Sequence, residues 1–252
     1  MNSKATVKPS SLNTHVELLK NQRCLVLAPH PDDEAFGCAG TMAKLKALGS
    51  EVFVIVVSAG NLHHYNVNKY SYVTGEQRSA ELEKSMEILK VDDYELVYND
   101  SEIHMKLDAM PLKELINLFE KDCRLSIDRI KPSMIILPAI SYNQDHEAVF
   151  RAGFTACRPH LPDIKPFQKI VLSCEYPAMS WSLNQERFNP NFYVDITDHI
   201  GDKLKSVACY QSQVRSHIHH CSLENVEWLA RVRGREVSVE AAEAFVCHRL
   251  LA

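Results

Sequence analysis

Short apolar runs alternate with segments of helical periodicity through the first two thirds of the chain. Four runs have the length of buried strands, and they cover residues 24–29, 51–58, 94–98 and 134–138. Apolar residues at helical spacing predict four helices, over residues 37–48, 76–90, 111–130 and 145–157. Strands that are apolar on both faces and separated by helices indicate a parallel sheet covered on both sides. The pattern therefore predicts an α/β fold with a mostly parallel sheet flanked by helices.

The last third of the chain is less regular. It predicts strands over residues 170–174 and 192–196 and helices over 198–211 and 223–231. Periodicity leaves residues 243–250 undecided between a strand and a helix. We interpret this part as a C-terminal extension that shapes a pocket, within one domain over residues 21–252. Residues 1–20 are predicted to be a loose N-terminal extension.

The composition is that of a globular protein without the basic surface that nucleic-acid binding requires. Of the 252 residues, 46% are hydrophobic and 24% are charged, which is typical of a globular protein and excludes a disordered chain. The formal net charge is −4, from 28 Lys and Arg against 32 Asp and Glu. Because binding to nucleic acid requires a basic patch and the chain has no basic block, we expect no nucleic-acid partner.

Eight scattered cysteines form no CxxC pair, and several lie in apolar runs that suit buried thiols. The N-terminal residues lack an apolar signal-peptide core. The longest apolar run, residues 52–57, is too short to span a bilayer, so no integral membrane segment is expected. These features predict a reduced, cytoplasmic protein. A homo-oligomer is compatible with the sequence.

Polar side chains and imidazoles follow the predicted strands. They occupy residues 29–34, 58–64 and 141–146, and Asp100 follows the third strand. In open parallel sheets, ligands bind at the carboxyl ends of the strands. The sequence therefore predicts a functional site at this edge of the sheet.

His30 and Asp33 lie three residues apart on a turn that enters a helix, which suits two metal ligands. A third ligand from another loop would complete a site of the catalytic zinc type, although Fe²⁺, Co²⁺ or Mn²⁺ also fit such donors. Asp32 can then take a proton from a metal-bound water. A simpler reading is that residues 31–34 only cap the helix, where acidic residues favour the N-terminus. The preceding histidine and the second polar cluster argue against it.

Residues 28–34, Ala-Pro-His-Pro-Asp-Asp-Glu, resemble the signature of the PIG-L/LmbE-like N-acetylglucosaminyl deacetylases. The resemblance keeps the family's order from residue 24 to about 249. Its further elements are Arg78 with Glu81, residues 143–146, 190–196, 212–213, 233–234 and 242–245. The resemblance implies a Rossmann-like domain that holds one zinc ion and removes an N-acetyl group from an amino sugar.

By position, the resemblance implies that His30, Asp33 and His146 bind zinc and that Asp32 is the general base. It places Asp145 as a group that orients a neighbour, and Arg78 and Asp100 at the sugar-binding wall. His64 and Arg235 complete the predicted substrate-binding set; as an arginine, Arg235 suits a phosphate, or is simply solvated.

Asn143 departs from the family pattern, which often has histidine there. Asparagine can donate a hydrogen bond to the developing oxyanion, but it cannot deliver a proton. Protonation of the leaving amine then falls to Asp32 or to one of three other candidates, His63, His64 and His104.

The predicted function is therefore zinc-dependent removal of an N-acetyl group from a small-molecule amino sugar or its conjugate, including nucleotide- or lipid-linked forms used in surface glycoconjugate synthesis. Two further functions stay open: an amidase acting on a thiol conjugate or another N-acyl substrate, and a metal- or sugar-binding protein that has lost catalysis. Asn143 motivates the binding protein, and the intact Asp32 argues against it. Dinucleotide binding is disfavoured because the first βα turn lacks G-x-G-x-x-G.

Overall fold

A seven-stranded sheet forms the centre of the protein in our computed structural model, which describes residues 16–65, 71–177 and 188–251. The strands in chain order are β1 (Arg23–Ala28), β2 (Glu51–Ala59), β3 (Leu62–His64), β4 (Ser71–Val73), β5 (Asp93–Asn99), β6 (Met134–Pro138), β7 (Ile170–Cys174), β8 (Phe192–Asp195) and β9 (Ala242–Leu250). The helices are α1 (Asp33–Ala47), α2 (Gly75–Leu89), α3 (Leu112–Asn117), α4 (Ile127–Ile130), α5 (Gln144–Ala156), α6 (Ile200–Cys209) and α7 (Leu223–Glu236).

The sheet has the order β5-β2-β1-β6-β7-β9-β8. The pairs from β5 to β7 are parallel, whereas β9 runs antiparallel to both β7 and β8. The predicted α/β architecture with a mostly parallel, Rossmann-like sheet is therefore confirmed. The undecided residues 243–250 belong to strand β9, which lies between β7 and the edge strand β8.

Both faces of the sheet are buried, as the strand pattern predicted. In β1, Cys24 and Val26 pack into one apolar cluster, and Leu25 and Leu27 pack into the other. Helices α1, α2, α6 and α7 cover the first face, and α3 and α5 cover the second. The carboxyl ends of the parallel strands remain open at one edge, where loops carry the polar residues.

The predicted helix over residues 111–130 is wrong. The structure breaks it into α3, a π-helical turn at Leu118–Asp122 and the short α4. Leu118, Phe119 and Glu120 are all buried. The π-helical turn, which has more residues per turn than an α-helix, places these three consecutive side chains in the core.

Helix α1 begins at Asp33, four residues before the predicted start, and bends at Cys38, which has φ −148° and ψ 20°. The bend frees backbone groups that two buried side chains satisfy. The Glu243 carboxylate accepts hydrogen bonds from the backbone N–H groups of Gly40 and Thr41, at 3.0 and 2.6 Å. Lys203 donates to the carbonyl oxygen of Phe36 at 2.7 Å and pairs with Glu243 at 2.6 Å. Lys203 and Glu243, both from the last third of the chain, thereby hold α1 in place after the turn of residues 29–33.

Three further differences concern the edges of the fold. The predicted helix over 198–211 is shorter, because Thr197–His199 is a 3₁₀ turn that precedes α6. Strands β3 and β4 form a small antiparallel pair that the pattern did not predict. Leu19 lies in the core after a 3₁₀ turn at Val16–Leu19, while residues 1–15 of the predicted extension lie outside the described residues.

All eight cysteines lie in the described part of the chain and have free thiols, six of them buried. Among the described helices, none has the length and apolar character needed to cross a membrane.

Candidate active site

The turn between β1 and α1 brings His30 and Asp33 together with His146 from α5. Oδ2 of Asp33 accepts a hydrogen bond from the His30 backbone N–H at 2.9 Å and lies 3.3 Å from His30 Nδ1. Oδ1 of Asp33 lies 3.1 Å from His146 Nε2. All three side chains are buried, and each offers one ligand atom within 4.8 Å of the others.

This donor set fits a metal ion. Two imidazoles and one carboxylate are the ligands of many catalytic zinc sites, which leave a further position open. Nδ1 of His146 is buried and has no hydrogen-bond partner among the described residues, and a ligand bond would satisfy such a nitrogen. Burial by itself raises the pKa of Asp33, but His146 and His30 outweigh it and hold that pKa well below its usual value. Asp33 is therefore a carboxylate at neutral pH.

Asp145 supports the cluster from behind. Its side chain is fully buried, and Oδ2 lies 2.9 Å from Nε2 of His30. Oδ1 accepts a hydrogen bond from the Leu107 backbone N–H at 3.0 Å. A carboxylate in this position sets the orientation and tautomer of a ligand imidazole.

Asp32 lies next to the cluster in a strained backbone conformation, with φ 121°. For a residue other than glycine this conformation is costly and indicates a functional constraint. Glu34 supports it, because one oxygen of Glu34 accepts from the Asp32 backbone N–H at 3.2 Å and the other accepts from the Tyr210 hydroxyl. Burial and the neighbouring Asp33 carboxylate raise the pKa of Asp32 well above its usual value, although Arg78 opposes this effect.

Arg78, at the start of α2, holds the wall beside Asp32. Its Nη2 donates to the Pro31 carbonyl oxygen at 3.0 Å and lies 4.0 Å from Oδ1 of Asp32. Its Nη1 lies 2.7 Å from Nε2 of His104. A guanidinium can only donate, so Nε2 of His104 is unprotonated, and Nδ1 donates to the Ser58 hydroxyl at 3.2 Å.

His104 is therefore a neutral residue that positions Arg78. Burial, assisted by the charges of His30 and Arg78, lowers the pKa of His104 to about 3. Its nitrogen toward Arg78 accepts a hydrogen bond and carries no proton, which argues against His104 as the proton donor.

Asn143 caps the N-terminus of α5. Its Oδ1 accepts a hydrogen bond from the Asp145 backbone N–H at 2.9 Å. The cap therefore assigns the amide orientation, and the group left for a ligand is the Nδ2 donor. Asparagine suits this position because it caps a helix and still retains a donor.

These side chains line one cavity of about 330 Å³. His30, Asp32, Asp33, Arg78, Asn143 and His146 contribute to it from the strand ends and the first turns of the helices. His64 from β3 also lines the cavity, together with Tyr176, which packs edge-on against the His146 ring. The volume is near the lower limit of ligand pockets and suits a small molecule.

Two predicted substrate-binding residues lie outside this cavity. Asp100 is exposed after β5, and its Oδ1 accepts from the Glu102 backbone N–H at 2.8 Å in a turn. Arg235 is exposed in the last turn of α7 and is not among the residues that line the cavity. The loop after β5 does approach the cavity, which Met105 lines, but Asp100 itself is bonded within its own turn.

Arg215 lines the cavity, and the sequence did not single it out. It lies two residues after the Ser212-Gln213 pair, which belongs to the family resemblance but was given no role. This pair was the sequence signal that could have found Arg215. The Glu81 carboxylate of α2 accepts hydrogen bonds from the backbone N–H of Ser212 at 2.9 Å and from the Ser212 hydroxyl at 2.6 Å. This clamp brings the loop after α6 to the cavity.

Comparisons with known proteins agree with this geometry. The model of the family described as GlcNAc-PI de-N-acetylase (PIG-L) matches residues 25–157, more than half of the chain. Diacetylchitobiose deacetylase of Thermococcus kodakarensis is 25% identical over 199 residues, which cover 76% of this chain and 70% of that protein. The probable N-acetyl-α-D-glucosaminyl L-malate deacetylase 2 of Bacillus anthracis is 23% identical, over 84% of this chain and 94% of its own.

The fold is also shared with a solved structure. The N,N′-diacetylchitobiose deacetylase of Pyrococcus horikoshii, complexed with its inhibitor, superposes with a TM-score of 0.66 at 22% identity. The alignment covers 94% of this chain and 89% of that one. The resemblance noted in the sequence is thus confirmed, and the chain belongs to the PIG-L family of de-N-acetylases.

Proposed function

We propose that this protein is a zinc-dependent hydrolase that removes an N-acetyl group from an amino sugar or an amino-sugar conjugate. The observation that carries the proposal is the cluster of His30, Asp33 and His146 beside the buried Asp32, inside the cavity of a chain from a de-N-acetylase family. The diacetylchitobiose deacetylase of T. kodakarensis and the N-acetylglucosaminyl malate deacetylase of B. anthracis support an amino-sugar substrate.

His30, Asp33 and His146 would hold the ion, with Asp145 orienting His30. A bound zinc ion supplies Lewis acidity toward the amide carbonyl and a nucleophilic water near neutral pH. Fe²⁺, Co²⁺ or Mn²⁺ are substitutes that the same nitrogen and oxygen donors accept.

Asp32 takes the proton of the attacking water on its carboxylate. A base whose pKa is raised toward the working pH is the more effective one, and burial beside Asp33 raises the pKa of Asp32 in this direction. Nδ2 of Asn143 donates a hydrogen bond to the amide oxygen as negative charge develops there. Asn143 cannot deliver a proton, and Asp32, having taken the proton of the water, returns it to the leaving nitrogen. His63 and His64 are the alternative donors.

Arg78 and His64 would contact the sugar, a role supported by their position in the lining of the cavity. We further propose that residues 21–252 form one domain that acts on small molecules in the cytoplasm, where eight free thiols are stable.

The test measures acetate release by the zinc-loaded protein from a panel of free, phosphorylated and nucleotide-linked N-acetyl amino sugars. Wild type is compared with Asp32→Asn and His146→Ala. We expect Asp32→Asn to keep stoichiometric zinc and lose activity by a factor of at least about 100. His146→Ala should lose zinc.

Two outcomes would overturn the proposal. Near-full turnover in Asp32→Asn contradicts the role of this base. Absence of acetate release from every sugar, with zinc bound, contradicts an amino-sugar deacetylase. It would favour either an amidase for a different N-acyl substrate or a binding protein without turnover. A second panel of thiol conjugates and longer N-acyl substrates then separates these two functions, because only the amidase cleaves any of them.

A further inference from the structure

Arg215 contributes a fixed guanidinium to the cavity. Its backbone N–H donates to the Cys221 carbonyl oxygen at 3.2 Å, and its Nη1 donates to the Ser212 carbonyl oxygen at 2.7 Å. Its Nη2 lies 3.1 Å from Nδ1 of His64. The side chain is half-buried and is held from both sides, by its own loop and by the β3–β4 pair.

The charge of Arg215 is not balanced by an acidic residue in the described part of the chain. Its partners are carbonyl oxygens and a histidine ring. Arg78, in contrast, faces Asp32, and Arg233 outside the cavity forms an ion pair with Glu175. A partly desolvated guanidinium without a counter-charge is costly, and an anionic ligand offsets that cost.

The imidazoles around Arg215 add no charge of their own near pH 7. Burial, reinforced by the neighbouring positive charge, lowers the pKa values of His64, His219 and His220, which all line the cavity. This wall therefore carries one positive charge, at Arg215, with neutral groups around it.

The loop that carries Arg215 is anchored to the catalytic part of the site. Glu81 is buried and accepts two hydrogen bonds from Ser212, three residues before Arg215. Glu81 lies on α2, one turn after Arg78. Because this clamp sets the position of the guanidinium before a ligand arrives, little ordering entropy is lost on binding.

We propose that Arg215 binds an anionic group, a carboxylate or a phosphate, attached to the amino sugar away from the acetamide, so that acidic conjugates are the preferred substrates. The inference rests on the proposed function. The acetamide itself is neutral and is assigned to Asp32, Asn143 and the metal ligands, so it does not use this charge. A bidentate arginine contact suits both carboxylate and phosphate.

Binding is measured by calorimetry in the zinc-loaded Asp32→Asn variant, which separates recognition from turnover. The ligands are N-acetylglucosamine 1-phosphate, an N-acetylglucosaminide of a hydroxy acid and the neutral methyl N-acetylglucosaminide. We expect the anionic ligands to bind at least about tenfold more tightly than the neutral one. Adding Arg215→Gln should remove most of this preference, and Arg215→Lys should restore part of it. Arg231→Gln, a surface arginine paired with Glu227, is the matched control.

Equal affinity for neutral and anionic ligands, or a preference that survives Arg215→Gln, overturns the inference. The inference is also overturned if none of the three ligands binds. Acetate release by the wild type from the same compounds judges the proposed function separately: release without an anionic preference leaves the deacetylase and removes the role of Arg215. The difference between the phosphate and carboxylate ligands identifies the anion.

Discussion

Asp145 and His30 form a buried pair in which the carboxylate Oδ2 lies 2.9 Å from the imidazole Nε2. When His30 binds a metal ion as a neutral imidazole, it donates through one nitrogen only, so this bond would leave the lone pair of Nδ1, 3.3 Å from Asp33, for the ion. The two residues are 115 positions apart in the chain, and the neighbouring strands β1 and β6 bring them together. The pair thus determines which nitrogen is available to a metal ion.

Asp145→Asn should weaken zinc binding about 10- to 100-fold, because the amide holds the imidazole less firmly and lowers its basicity. Competition with a chromophoric chelator measures the zinc Kd. Glu147→Gln, on the same helix but paired with Arg151, is the control. An unchanged zinc Kd in Asp145→Asn would show that the pair does not support a ligand.

Asn143 has two separable tasks, the helix cap through Oδ1 and the donor through Nδ2. Serine caps as well as asparagine but lacks the amide donor, whereas alanine lacks both. Asn143→Ser should reduce kcat about 100-fold with little change in stability. Asn143→Ala should show the same loss of kcat and an additional loss of about 1 kcal/mol in unfolding free energy. Full kcat in the serine variant would remove the donor role, whatever the stability of the alanine variant.

Glu81 connects α2 to the loop of Gln213 and Arg215. Glu81→Gln should loosen the loop, because an amide replaces a carboxylate that accepts two hydrogen bonds from Ser212. We expect KM to rise about tenfold while kcat stays within about twofold, since the loop binds substrate and does not carry the reacting groups. Glu83→Gln, exposed on the same helix, is the control. A fall in kcat with an unchanged KM would contradict this division.

The sequence predicted the strands and the turns that follow them most successfully. Strands β6 and β7 have the predicted bounds, because each is a short apolar run buried on both faces. In a parallel sheet the carboxyl ends of such strands meet at one edge, which is why the turn of His30 and the helix of His146 converge. The bounds of a strand depend on its own apolar residues, so the hydrophobic pattern is enough to predict where each strand ends and which turn follows it.

Features that depend on long-range contacts were not predictable. Arg215 reaches the cavity only because Glu81 clamps Ser212, 131 positions away. Asp100 follows a strand like the other candidates, but its side chain is bonded within its own turn, and periodicity does not predict the geometry of a loop. In the break of the predicted helix over 111–130, Glu120 is buried and bonded to Lys165, 45 positions away.

The buried Glu120 carboxylate makes the stability of the fold depend on pH. The carboxylate accepts hydrogen bonds from Lys165, which also donates to the Ala156 carbonyl oxygen, and from Arg158. Burial raises the pKa of Glu120, but the hydrogen bonds from these two cations outweigh it and lower the pKa below its ordinary value of 4.5. The unfolded chain therefore binds a proton at a higher pH than the folded protein does.

It follows that the ion pair stabilises the fold fully above pH 4.5 and that this contribution is lost as the pH falls through the lower pKa of the folded state. Glu120→Gln should reduce the free energy of unfolding by about 3 kcal/mol near neutral pH, because Lys165 remains buried without its partner. The difference from wild type should shrink on acidification, since the wild type then loses the same charge. Urea unfolding at a series of pH values measures it, with the exposed Glu114→Gln as control. A difference that is constant with pH would show that the Glu120 charge is not what stabilises the π-helical turn.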